Sequence, residues 1–154
     1  MRPSDVLTAV NHHFFESTAA ERFATLFFGI YDDGTRRIRY VNCAHVSPFL
    51  LRASGELVKL DATATMLGAF PVWKCRESSA ELGRGDTLLL FSDGVTEAGI
   101  EHGDEFGDDR LEKVMRDNAG APAEALVQRV IDAVSEFSGP SRSDDVTVVA
   151  LRGL

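Results

Sequence analysis

Two acidic motifs stand at the ends of strand-like runs, and their residue types suit a hard cation. The first is Gly85 to Ala98, GDTLLLFSDGVTEA, in which Asp93 follows the apolar run Thr87 to Phe91 and precedes a glycine that lets the backbone turn sharply. A carboxylate there is held by a rigid strand yet open to solvent, as a metal ligand or a general base needs. The bland alternative is that Asp93-Gly94 is only a turn, the commoner fate of a lone Asp-Gly. The second motif, Ser143-Asp144-Asp145, precedes the strand-like run VTVVAL from Val146 to Leu151. If the two strand ends are neighbours in a sheet, the carboxylates converge, and convergent carboxylates repel unless a cation or proton lies between them.

Other candidates are weaker. Asp32-Asp33-Gly34 is acidic enough for a metal, but a hairpin turn explains it fully. His12 and His13 are adjacent and cannot share a helical face. Cys43 and His45 point to one side of a strand, yet nothing else supports a nucleophile there. Glu97 to Asp117 carries eight acidic residues against three basic ones, which reads as a solvated loop and helix start. There is no P-loop, GxSxG elbow, HExxH or EF-hand spacing.

The elements that must position these residues follow from pattern and punctuation. Pro3-Ser4-Asp5 starts a helix, with Ser4 or Asp5 available as cap and Val6, Leu7, Val10, Phe14 and Phe15 as its apolar stripe. Phe23 to Tyr31 is apolar on both faces and reads as a central strand. Arg36 to Cys43 follows across the Asp32-Asp33-Gly34 turn; Asn42 to His45 breaks that strand, and Pro48 to Leu51 resumes it. Ala53-Ser54-Gly55 turns into Glu56 to Leu60, and Val72 to Leu82 precedes the central strand Thr87 to Phe91. Helices return only after it, with Leu111, Val114 and Met115 on one and Leu126, Val130, Val134 and Phe137 on the next, separated by Asn118. Successive hairpins call for antiparallel sheets, so the fold class is an α+β sandwich, a single domain over residues 1–154.

Composition narrows the function. A net charge of −8 argues against a nucleic-acid partner. No apolar run approaches a membrane span, and no signal-peptide pattern opens the chain. Two cysteines without CxxC spacing read as buried free thiols of a reducing cytoplasm.

Taken in order, NCAHVSPFLL, GDTLLLFSDGVTEA and SDDVTVVAL resemble the metal-dependent protein phosphatases of type 2C, most closely the bacterial branch of stage II sporulation protein E and the sigma-factor regulatory phosphatases. Leu7 to Asn11, Tyr40-Val41-Asn42, Leu67-Gly68 and Phe106-Gly107 add to the match, which covers nearly the whole chain. The resemblance implies a sandwich of antiparallel sheets flanked by helices and a manganese or magnesium centre. It further implies that water activated at such a centre would attack a phosphoserine or phosphothreonine phosphorus without a phosphoenzyme. It makes Asp93 and Asp144 metal ligands and gives Gly94 and Asp145 supporting places around them. Asn42 and His45 match a family Asn-Gly-His segment, with Ala44 in place of the glycine, and read as a structural corner. The expected substrate is a phosphoserine regulatory protein of the anti-sigma-factor antagonist type; the alternative is a catalytically impaired phosphatase-like binding module. The family's Asp-Val-x-Gly-His-Gly segment has no match here. Low activity that recovers with an upstream segment is therefore expected, as is an uncovered sheet edge that invites a homodimer.

Overall fold

The computed structural model describes residues 1–18, 22–139 and 145–154. In chain order the elements are α1 (Pro3–Ser17), β1 (Leu26–Asp32), β2 (Arg37–Cys43), β3 (Phe49–Leu51), β4 (Leu57–Lys59) and β5 (Ser78–Glu81). They continue with β6 (Thr87–Phe91), α2 (Asp93–Thr96), a 3-10 turn (Ile100–His102), α3 (Gly107–Asp117), α4 (Ala123–Ser138) and β7 (Val148–Arg152). Every ladder between these strands is antiparallel, as the run of hairpin signals required. No helix among the described residues is long and apolar enough to cross a membrane.

The chain divides into two compact units. The first, Met1–Ser47 with Leu60–Glu81, holds α1 and a three-stranded sheet ordered β1-β2-β5. Its core gathers Leu7, Val41, Cys43, Leu67 and Trp73, with Leu26, Phe28, Ala64 and Cys75 packed against them. β1 is an edge strand, not the central one its composition suggests: among the described residues only β2 pairs with it. Its apolar residues on both faces still find partners, because Leu26 and Phe28 reach the core while Phe27 stacks on Tyr40 with ring centroids 5.1 Å apart. The Asp32 turn is explained locally. Hydrogen bonds from the backbone N–H and the hydroxyl of Thr35 hold the Asp32 carboxyl below its usual range.

α1 departs from expectation at both its cap and its stripe. Neither Ser4 nor Asp5 caps it. Pro3 opens the helix, Arg2 makes no side-chain capping bond, and Glu77 instead accepts from the backbone N–H and hydroxyl of Ser4. The buried face runs through Pro3, Leu7 and Asn11, leaving Val10 and Phe15 exposed. Asn11 is buried because its amide accepts from Gly68 N–H at 2.8 Å and donates to the Phe70 carbonyl. Gly68, at φ +80°, lies where a β-carbon would stand 2.5 Å from the Phe14 ring, so only glycine lets the helix approach.

The corner after β2 is built on Asn42, which is fully buried. Its side chain donates to the Leu60 carbonyl at 3.0 Å and accepts from His45 N–H at 2.9 Å, while its own carbonyl takes the N–H groups of Thr63 and Ala64. Ala44 turns this corner at φ +53°, a left-handed conformation that costs a non-glycine residue about 1–2 kcal/mol. Gly in its place relieves that strain at an entropic cost of about 0.5–1 kcal/mol. Ala44→Gly is therefore expected to stabilise the protein by up to about 1 kcal/mol in chemical denaturation.

The second unit, Pro48–Lys59 with Leu82–Leu154, holds a four-stranded sheet ordered β4-β3-β6-β7. β3 does not resume β2; the corner sends it into this other sheet, where it pairs with β4 and β6. β6 lies between β3 and β7, and Leu88, Leu89 and Phe91 are almost wholly buried. α4 packs on β7 and on α3, burying Leu126, Val130 and Val134, and α3 buries Leu111 and Met115. Val114 and Phe137 are half-buried; the Phe137 ring lies against Phe106 and under the Arg110 guanidinium. The strand read into Val72 to Leu82 shrinks to β5, for Val72 is 81% exposed.

The turn into β6 is tied by Asp86, whose carboxylate accepts from Ala53 N–H (2.9 Å), Gly83 N–H (2.9 Å) and Arg52 Nη1 (2.8 Å). Burial pushes this carboxyl up, but those donors outweigh it and its pKa lies below the ordinary value. Gly153 closes the same turn so tightly that a β-carbon there would meet the Gly83 carbonyl oxygen at 1.9 Å. Asp86→Ala strands all three donors and is expected to cost about 2 kcal/mol near neutral pH. Because the folded pKa is depressed, that stabilisation is complete above about pH 4, the unfolded value, and is lost as pH falls through the folded one. Denaturation curves of the two proteins should accordingly converge in acid.

Candidate metal centre

β6 delivers its chain to the site in an extended conformation through Ser92, at φ −83° and ψ 161°. Asp93 then opens the short helix α2, in which Gly94 and Val95 are buried and anchor the turn beneath an exposed Asp93 side chain. The Asp93 carbonyl accepts from Glu97 N–H at 2.8 Å, fixing the backbone that carries the carboxylate. One carboxylate oxygen, Oδ1, accepts from Gly94 N–H at 3.0 Å. Among the described residues the other accepts no hydrogen bond, and Asp93 makes no ion pair. The result is an oriented hard-oxygen donor facing solvent.

The partner segment is held there by a residue that sequence reasoning passed over. Ser92 N–H donates to the Thr147 carbonyl, Thr147 N–H donates to Ser92 Oγ, and Ser92 Oγ donates to the Asp145 carbonyl, each at 3.0 Å. These bonds extend the β6–β7 ladder beyond its last pair, Phe91 with Val148, and bring the Asp145 backbone beside the residue that precedes Asp93. Asp145 itself is exposed. The signal for this latch was a hydroxyl residue closing an otherwise apolar strand, but its partners lie more than fifty residues away. Asp144, the second expected ligand, lies outside the described residues. Among the described residues no three His, Cys, Asp or Glu side chains gather as a metal cluster.

Three acids of the Glu97 to Asp117 run are engaged in ion pairs. Asp108 pairs with Lys59 at 2.6 Å, Asp104 with Arg110 at 2.9 Å, and Asp117 with Lys113 at 2.6 Å, as a solvated loop and helix start would have it. Cys43 is no nucleophile: burial pushes its thiol up to about 12, so it stays protonated. Cys43 and Cys75 lie on opposite sides of Ala64, which bridges to both, and both are free thiols. His45 meets the Thr25 hydroxyl at 3.3 Å and belongs to the Asn42 corner.

The chain is similar to several known proteins. The family profile described as "Stage II sporulation protein E (SpoIIE)" matches residues 1–153. The phosphoserine phosphatase RsbU of Bacillus subtilis (strain 168) is 27% identical over 153 residues, which cover 99% of this chain and 45% of RsbU. Among solved structures, the SiaA-PP2C domain of Pseudomonas aeruginosa superposes with a TM-score of 0.83 at 22% identity, covering 98% of this chain and 61% of that one. The manganese-presoaked phosphatase domain of the cell-fate determinant SpoIIE from Bacillus subtilis gives a TM-score of 0.72 at 19% identity, covering 97% and 64%. The chain spans less than half the length of the curated relatives it matches.

Proposed function

Because the chain belongs to the stage II sporulation protein E family, we propose that it is a metal-dependent protein serine/threonine phosphatase domain acting on a phosphoserine regulatory protein of the anti-sigma-factor antagonist type. The observation that carries this reading is the exposed, backbone-oriented Asp93 carboxylate at the end of β6, beside the latched Asp145 segment. Hard carboxylate oxygens fit manganese or magnesium, and Asp93 and Asp144 are the residues to hold it, with Gly94 and Asp145 supporting them. When bound, such a cation neutralises phosphoryl oxygens and makes water a better nucleophile at neutral pH. The chain's own contribution is positional. Gly94 N–H fixes the rotamer of Asp93, and Ser92 keeps the segment leading to Asp145 from drifting away.

The test is release of phosphate from a phosphoserine protein, and from an aryl phosphate, with manganese present. It is made on the whole protein that carries this chain. Metal-dependent release supports the reading. A protein that binds the phosphoprotein but releases nothing would be a phosphatase-like binding module. The free thiols Cys43 and Cys75 favour a reducing cytoplasm as the setting. The open edge of β1 favours a homodimer formed by strand addition, which analytical ultracentrifugation at high concentration would detect; a strictly monomeric particle would exclude it.

A further inference from the structure

At the end of the second sheet away from Asp93 lies a cavity lined by none of the candidate metal-centre residues. Its volume is about 380 Å³, the size of a small-molecule site. Leu51, Thr87 and Arg152 form one row across β3, β6 and β7 and line it, with Ala53 and Ala119 as apolar wall. Thr87 and Phe91 mark opposite ends of β6, about 13 Å of strand apart, and Asp93 lies beyond Phe91.

Three guanidinium groups line this cavity in a chain of net charge −8. Two are neutralised: Arg52 by Asp86 at 2.8 Å and Arg116 by Glu112 at 2.7 Å. Arg152 has no carboxylate partner among the described residues; its Nη1 donates to the Ala121 carbonyl. A guanidinium carries five N–H donors in a planar fork, so Arg152 keeps both its charge and donors to give. An apolar wall beside an uncompensated guanidinium suits one ligand chemistry. We propose that this cavity binds a small organic anion, with a carboxylate or phosphate-type head on Arg152 and an apolar body against Leu51, Ala53 and Ala119. The cavity is separate from the candidate metal centre, so its ligand does not compete for the cation.

The test is titration of the isotope-labelled chain, free of divalent metal, with phenylphosphonate, benzoate and benzyl alcohol, followed through backbone amide shifts. Saturable shifts at Thr87, Gly120 and Arg152 are expected with at least one anion, and whichever anion binds tighter names the head group. Benzyl alcohol should bind at least about tenfold more weakly, and Arg152→Gln should weaken the anion by about tenfold, the effect of roughly 1.4 kcal/mol. Arg152→Lys should recover part of the loss, Ala119→Leu should abolish binding by filling the cavity, and Asp93→Asn should leave it unchanged. No saturable shift with either anion, equal affinity for benzyl alcohol, or shifts confined to residues around Asp93 would overturn the proposal. So would undiminished binding by Arg152→Gln. Should that variant fail to fold, undiminished binding by Ala119→Leu would overturn it equally.

Discussion

Asp93→Asn is expected to abolish manganese-dependent phosphate release and to weaken manganese binding by more than about 100-fold. Loss of a residue that merely supports a ligand already costs 10–100-fold, and here the proposed ligand itself is removed. The substitution is chosen because it changes charge and little else. Asparagine keeps a carbonyl oxygen where Asp93 Oδ1 accepts from Gly94 N–H, so the entry into α2 survives. Thermal unfolding of the variant without metal should therefore match the parent, while calorimetric titration with manganese and turnover of the phosphoprotein should both fail. Asp33→Asn is the control: its side chain is exposed in the β1–β2 turn, and activity should not change. A variant at Asp93 that keeps full activity would remove that residue from the metal centre.

The largest expected loss of stability belongs to Leu89→Ala. Leu89 is 0% exposed and sits mid-strand in β6, opposite Phe49 of β3 on one side and Ala150 of β7 on the other. Its neighbours are held by two ladders and cannot collapse into the space it leaves. Truncation should cost about 2–5 kcal/mol, the range for leucines removed from well-packed cores. In a domain of this size that is a fall of about 10 °C in melting temperature. A shift under about 2 °C would mean that β6 is not the strand on which the second unit is built.

Why these two residues were legible from sequence, and others were not, follows from the range of the interactions involved. β6 was readable because a glycine turn, an apolar run and Ser92-Asp93-Gly94 succeed one another without a gap. The α3 and α4 faces were readable because Leu111 with Met115, and Leu126 with Val130 and Val134, keep helical spacing. The α1 stripe was misread because its buried face includes Asn11, whose burial depends on hydrogen bonds to Gly68 and Phe70, far along the chain. β1 looked central because hydrophobicity records burial of faces and says nothing of whether a strand's edge is paired. Ala44 was seen as a departure from glycine, yet only its φ of +53° shows that the left-handed turn is kept. Asp93 stands out locally as a candidate ligand at a strand end, while the Ser92 latch is a contact between distant segments that no local pattern encodes.

The side of β1 left unpaired among the described residues has a practical corollary in isotope exchange. In an antiparallel ladder with one partner, alternate amides point away from that partner and trade hydrogen for deuterium at rates set by solvent. The intervening amides, bonded to β2, should retain their protons far longer, giving a two-residue periodicity in uptake from Leu26 to Asp32. That periodicity is a built-in gauge. Anything that adds a strand there, whether a second copy or additional sequence, would erase the fast-exchanging half and leave the slow half untouched.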